Sequence, residues 1–180
     1  WGGSDKINLQ NLPSRGPNAK VLKSCICAPE GYTLIEADSA QIEARVLAWL
    51  AGQVDLVRSF ENGEDVYKKM AATIYNKKVD EIDGSQRFIG KTTILGAGYG
   101  MGAVKFRDQL KGMGVEVEEE ECKRIIRVYR SANASISQLW RDAQNGLMGM
   151  YQGERYGIGK AGVLKTLPEV NGIRLPSGLI

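Results

Sequence analysis

Apolar residues recur along most of this chain at three- and four-residue intervals, the pattern of helices with one buried face. Ile42, Val46, Leu47 and Leu50 form the first stripe, and Gly52 ends it. The spacing then predicts a short helix over 54–60 and another over 64–75, with Val66, Met70 and Ile74 aligned. Asp83 and Gln86 make a capping box for a helix reaching about residue 97, beyond which Gly98, Gly100 and Gly102 loosen the chain. Further helices follow over 104–111 and 118–131, the latter burying Cys122, Ile125, Ile126 and Tyr129. A long helix should then turn Ile136, Trp140, Ala143 and Leu147 inward.

Two stretches break the helical period. Residues 20–28 and 31–38 read as strands joined at Pro29-Glu30-Gly31, with Thr33, Ile35 and Ala37 on one face. The tail from Gly153 is glycine-rich and interrupted by Pro168 and Pro176, as hairpins and loops are. The expected class is α+β, predominantly helical with a small antiparallel β portion, and neither an internal repeat nor a low-complexity linker divides it.

Composition changes this picture little. At 180 residues and 43% hydrophobic the chain can bury a substantial core. A net charge of +3 permits contact with nucleic acid without demanding it. The clearest charge run is acidic, Glu118 to Glu121, and reads as a solvated first turn at a predicted helix start, where negative charge suits the helix dipole. Cys25 and Cys27 form C-x-C, but Cys122 is distant and the chain has no histidine to complete a zinc site. Three reduced thiols, with neither a signal peptide nor a membrane span, lead us to expect a cytoplasmic protein. The absence of an initiator Met, and a Pro-Ser-Gly turn just before Ile180, read as part of a longer chain.

Candidate chemistry concentrates in two segments. In RFIGKTTILGAGYG, Arg87, Lys91, Leu95 and Tyr99 stand at strict four-residue intervals, each step turning a helix by about 400° and advancing it roughly 6 Å. One stripe thus presents two cations, an apolar group and an aromatic, which matches the phosphates, sugar and base of a nucleoside triphosphate. The same spacing also describes an ordinary solvated face above a core pair. In YTLIEADSAQIEARVLAWL, Asp38 stands where a strand gives way to a helix, a position suited to a hard cation such as Mg²⁺. There too a simpler role exists, Asp38 as N-cap with Gln41 closing a capping box. GKTT at residues 90–93 looks like the end of a phosphate-binding loop, but five residues separate Gly84 from Gly90 where that motif needs four, and VDEID is no buried strand.

Taken together, DSAQIEAR and, about forty residues later, R-x3-K-x7-YG resemble the first two catalytic motifs of family A DNA polymerases. INLQNLP at residues 7–13 resembles the segment by which that family holds the primer-template minor groove, and the likeness extends to NGIRLPSG at 171–178. The wording of WGGSDKINLQNLP and VLAWLAGQ is similar to bacteriophage members.

The resemblance implies template-directed addition of deoxynucleotides to a primer 3′-hydroxyl, with two Mg²⁺ ions as cofactors and with primer-template DNA and deoxynucleoside triphosphates as partners. Residues 1–52 would be part of the palm, 53–165 the fingers with the nucleotide helix at 84–97, and 166–180 the chain returning toward the palm. Asp38 and the Ser39 carbonyl would hold metal, and Arg87 and Lys91 would neutralise the triphosphate, Lys91 also protonating the leaving pyrophosphate. Gln41 and Leu95 would join the nucleotide site, and Glu43 would exclude a ribose 2′-hydroxyl. Tyr99 would stack at the templating position beside Gly100, while Asn8, Gln10 and Asn11 would contact DNA.

The family's third motif, with the second metal-binding aspartate, has no match here, so these 180 residues alone are expected to be inactive. A helical DNA-binding module without catalysis is the alternative. Ser39-Ala40, Phe88, Gly90 and Leu95 depart from the common family pattern, and a mid-helix glycine costs about 1 kcal/mol relative to alanine.

Overall fold

In the computed structural model, which describes residues 18–35 and 37–180, the helical pattern is realised closely from Ile42 onward. The backbone forms two compact units, Trp1–Ala40 and Gln41–Ile180. In the first, α1 (Ala19–Ser24) is a turn and a half exposed except at Ala19, followed by a turn in which the Tyr32 N–H donates to the Pro29 carbonyl at 3.0 Å.

The second unit contains α2 (Ile42–Ala51), α3 (Val54–Glu61), α4 (Val66–Tyr75), α5 (Gly84–Gly98), α6 (Ala103–Gly112), α7 (Glu119–Ala132) and α8 (Ala134–Tyr151). Strands β1 (Gly157–Ile158), β2 (Leu164–Leu167) and β3 (Gly172–Arg174) then form an antiparallel sheet in sequence order. The class is therefore α+β, mostly helical with one small sheet.

The core gathers around α5, which packs against α2, α4, α6 and α7. Ile89 and Ile94 from α5 meet Met70 and Ile74 from α4, Phe106 and Leu110 from α6, and Cys122, Ile125, Ile126 and Tyr129 from α7. Burial on so many sides places Thr92 and Thr93 inside as well. Their hydroxyls donate back to the carbonyls of Phe88 (3.0 Å) and Ile89 (2.8 Å), so neither is left unsatisfied. The Asp83 carboxylate accepts from the Gln86 N–H at 2.8 Å and completes the expected capping box.

Three expectations need correction. Among the described residues, 20–28 and 31–38 form no strand pair. Ala19–Ser24 is AKVLKS, four of whose six residues are strong helix formers, and Tyr32, Leu34 and Ile35 are exposed without ladder partners. A lone hairpin buries no face and is marginal in water, and among the described residues no third strand joins it. The antiparallel β portion lies instead at 157–174.

Second, the inward face of α8 is carried by Ile136, Leu139, Gly146 and Gly149, not by Trp140 and Leu147, which are 38% and 46% exposed. A Cβ on Gly146 would lie 2.8 Å from Ile158 Cδ1, and one on Gly149 would lie 2.0 Å from the Tyr156 ring. The sheet therefore seats its side chains on a face of the helix that has none, a surface invisible to apolar periodicity.

Third, the acidic run is not simply solvated. Glu119 pairs with Arg107 at 2.8 Å and with Lys123 at 3.1 Å, and Glu121 pairs with Arg124 at 2.6 Å.

Candidate functional site

The face of α5 that the core leaves open is the one carrying Arg87, Lys91, Leu95 and Tyr99. Ile89, Gly90, Thr92, Thr93, Ile94, Gly96, Ala97 and Gly98 are all buried, whereas Arg87 and Leu95 are half-buried and Lys91 and Tyr99 exposed. Over twelve residues the stripe extends about 18 Å along the axis. It is a solvent-facing row on an otherwise enclosed helix, and the helix is held from behind.

Gly90 explains how closely it is held. A Cβ there would fall 2.2 Å from the Tyr67 carbonyl oxygen and 3.0 Å from the Ala71 nitrogen, so α4 and α5 touch backbone to backbone at this level. The mid-helix glycine that looked like a cost in the sequence is what admits α4. The same geometry rules out a phosphate-wrapping loop, because residues 90–93 lie inside a continuous helix.

The close approach brings Tyr67 beneath the two cations. The Arg87 guanidinium carbon lies 5.4 Å from the Tyr67 ring centroid and Lys91 Nζ lies 5.9 Å from it, within the range of cation–π attraction. Burial raises the Tyr67 phenol above its usual pKa, against the opposing effects of a hydrogen bond with the Gln41 side chain and of the Arg87 charge.

Asp65 steadies the same end. As N-cap of α4 it accepts from the N–H groups of Tyr67 (3.1 Å) and Lys68 (3.0 Å), and Arg87 Nε donates to its other oxygen at 2.7 Å. Burial pushes the Asp65 carboxyl upward, but the Arg87 hydrogen bond and the two backbone donors outweigh it and hold the group below the ordinary aspartate value. Lys91 has no carboxylate partner among the described residues. The stripe thus offers one positioned guanidinium and one uncommitted ammonium.

At the other end of α5 the surface becomes apolar. A cavity of about 230 Å³ is lined by Leu95, Tyr99, Ile94, Leu47, Trp140 and the Glu43 side of α2. Tyr99 hydrogen-bonds Glu43, and that bond, more than burial, raises the Tyr99 phenol above its usual pKa. Tyr99 is 66% exposed at the helix C-cap, and Gly100 follows with φ of 73°, a conformation suited to glycine. Glu43, Leu95 and Tyr99 are therefore neighbours around one cavity.

Asp38 and Ser39 belong to the first unit and are exposed. The N-cap of α2 is Gln41, with φ of 57° and no side-chain cap bond, so Asp38 is not the helix cap that the simpler reading made it. Asn8, Gln10 and Asn11 lie outside the described residues.

Asp65 and Tyr67 escaped the sequence reading, and Trp140 entered it only as an inward-facing residue of the long helix, not as part of the cavity. Asp65 was legible as an aspartate directly before an apolar-periodic helix. Nothing local announced Tyr67, which matters only because Gly90 lets α4 approach α5.

Comparison with known proteins follows the same segments. The family model for DNA polymerase family A matches residues 3–148. The thermostable DNA polymerase I of Thermus filiformis is 37% identical over 118 residues, covering 66% of this chain and 14% of the relative. DNA polymerase I of Pseudomonas aeruginosa is 35% identical over 118 residues, covering 66% of this chain and 13% of the relative. The chain thus spans about one seventh of the length of these curated relatives. Among solved structures, the POL domain of Pol1 from M. smegmatis in complex with DNA primer-template and dNTP superposes with a TM-score of 0.63 and 25% identity, covering 84% of this chain and 26% of that one. These relatives are bacterial and lend no support to the expected bacteriophage affinity.

Proposed function

Because the chain belongs to DNA polymerase family A, we propose that it forms the nucleotide-reading part of an enzyme that adds deoxynucleotides to a primer 3′-hydroxyl under the direction of a template. The observation that carries this is the open face of α5, where two cations above Tyr67 lead into an apolar cavity bordered by Glu43, Leu95 and Tyr99. Phosphates suit the first half of the stripe and a sugar with its base the second. The solved relative that superposes on 84% of this chain holds primer-template and dNTP, which supports the same two partners here.

In this reading Lys91 binds the triphosphate directly. Arg87 joins it while Asp65 fixes its guanidinium, so that the charge is oriented before the nucleotide arrives. Lys91 holds a proton at Nζ that it can give to the leaving pyrophosphate. Leu95 meets the sugar, and Glu43, tied to Tyr99, closes the space a ribose 2′-hydroxyl would need. Gln41 orients Tyr67 from the α2 side, and Tyr99 with Gly100 borders the templating base. Asn8, Gln10 and Asn11 offer amides to minor-groove acceptors shared by all base pairs. We retain the division into palm (1–52), fingers (53–165) and returning chain (166–180) as part of the proposal, together with a cytoplasmic setting; no helix among the described residues is long and apolar enough to cross a membrane.

The donor chemistry at Asp38 and Ser39, a carboxylate and a carbonyl oxygen, fits Mg²⁺ in kind. Among the described residues no three ligating side chains cluster, so these two atoms supply part of a site, and the family resemblance assigns a second aspartate to a motif unmatched here. When bound, Mg²⁺ stabilises charge on the attacking and leaving oxygens.

A primer-extension assay with Mg²⁺ and the four deoxynucleotides tests the proposal. The complete polymerase should extend the primer and the isolated 180 residues should not. Extension by the isolated chain would show that its own residues complete the metal site. A complete protein that binds primer-template but never extends it would be the non-catalytic module.

A further inference from the structure

The small sheet sets positive charge in a row. Its register pairs Gly157 with Lys165 and Lys165 with Arg174, so these three share one face. The other face carries Ile158 and Thr166, which are buried against Gly146 of α8. Like charges directly opposite each other on neighbouring strands destabilise a sheet. Yet neither Lys165 nor Arg174 has an ion-pair partner among the described residues. Arg155, two residues before Gly157, adds a third cation and is held by Glu169 at 2.5 Å.

The row is also concave. A Cβ on Gly157 would lie 2.9 Å from the Gly162 Cα, so strand and turn approach too closely for any side chain to fill that position. Beside this contact lies a shallow cavity of about 210 Å³ whose lining includes Arg155, Lys165 and Arg174. A hollow rimmed by three cations, two of them uncompensated and repelling each other, fits an anion with several oxygens.

We propose that this face binds the phosphodiester backbone of the DNA strand the enzyme works on, a contact made by β1–β3 in addition to the stripe on α5. The proposal rests on the polymerase reading for the identity of its ligand. A backbone phosphate would relieve the Lys165–Arg174 repulsion and contribute affinity without reading sequence.

The test compares the complete polymerase with its Lys165→Ala plus Arg174→Ala variant, measuring primer-template affinity by fluorescence anisotropy over a salt series. Two lost phosphate contacts should weaken binding by up to about tenfold at low salt and make the slope of log K against log [salt] shallower by about 1 to 2. Thermal stability should stay level or rise, because a repulsive pair is removed. A Lys165→Arg plus Arg174→Lys variant keeps both charges and should keep the wild-type slope. An unchanged slope in the alanine variant of an enzyme that still extends primers would overturn the inference and leave the polymerase reading intact. Weaker affinity for free deoxynucleotide with unchanged DNA affinity would overturn it too, assigning the hollow to a triphosphate. A changed slope in a protein that never extends a primer would sustain the contact and refute the polymerase reading.

Discussion

Asp38→Ala in the complete polymerase should abolish primer extension at every nucleotide concentration, a loss of about a thousandfold or more. Removing a carboxylate that holds a catalytic cation forfeits several kcal/mol of charge stabilisation, and each 1.4 kcal/mol is about tenfold in rate. The structure makes this outcome clean to interpret. Asp38 is exposed and α2 is capped at Gln41, so the substitution takes no hydrogen bond from the helix. Melting temperature and primer-template affinity should therefore remain near wild type. A variant that melts earlier yet extends at a normal rate would mean that Asp38 serves the fold and the metal assignment is wrong.

Gly90→Ala should destabilise the protein, although the same exchange in an ordinary helix interior gains about 1 kcal/mol. The new methyl would stand 2.2 Å from the Tyr67 carbonyl and 3.1 Å from the Ala71 Cβ, and neither a backbone oxygen nor a packed alanine can step aside cheaply. Overpacking of this kind costs about 1 to 3 kcal/mol, and relief requires α4 to move off α5. That movement takes Tyr67 from beneath Arg87 and Lys91, so nucleotide affinity should fall along with stability. Denaturant unfolding and the nucleotide concentration dependence of incorporation measure the two effects. A stability gain would show that α4 and α5 do not make this contact in solution.

Where apolar side chains carry the packing, the fold was legible. The stripes on α4 and α7 and the Asp83–Gln86 box lie where their spacing put them, because each is a local pattern answered by one core. On the inward face of α8 Ile136 was legible but the rest was not, since Gly146 and Gly149 pack through absence and no hydropathy pattern registers that. The strands expected over 20–28 and 31–38 failed for a different reason: alternation describes a face, but a strand also needs a neighbour to pair with.

The site divides the same way. Four-residue spacing placed Arg87, Lys91, Leu95 and Tyr99 on one helix face, and α5 leaves that face open; Glu43 was named only through the family resemblance. Asp65 and Tyr67 reach the stripe across a helix–helix contact, and the residue that decides this contact, Gly90, looked from the sequence only like a weak point in the helix.

Leu95 offers the most direct measurement, because it is the member of the stripe assigned to the sugar. Leucine supplies apolar bulk at the cavity rim without a flat face or a hydrogen-bonding group. A tyrosine there adds a phenol that can replace an interaction otherwise made by the nucleotide's own 3′-hydroxyl, worth about 1 kcal/mol, or several-fold. Single-turnover incorporation of deoxynucleotides and dideoxynucleotides by the complete wild-type, Leu95→Phe and Leu95→Tyr polymerases should show strong discrimination in the first, little relief in the second and a several-fold relative gain for dideoxynucleotides in the third. Equal discrimination by all three would contradict the account, because residue 95 would then not meet the sugar and the open face of α5 would not read the nucleotide along its length.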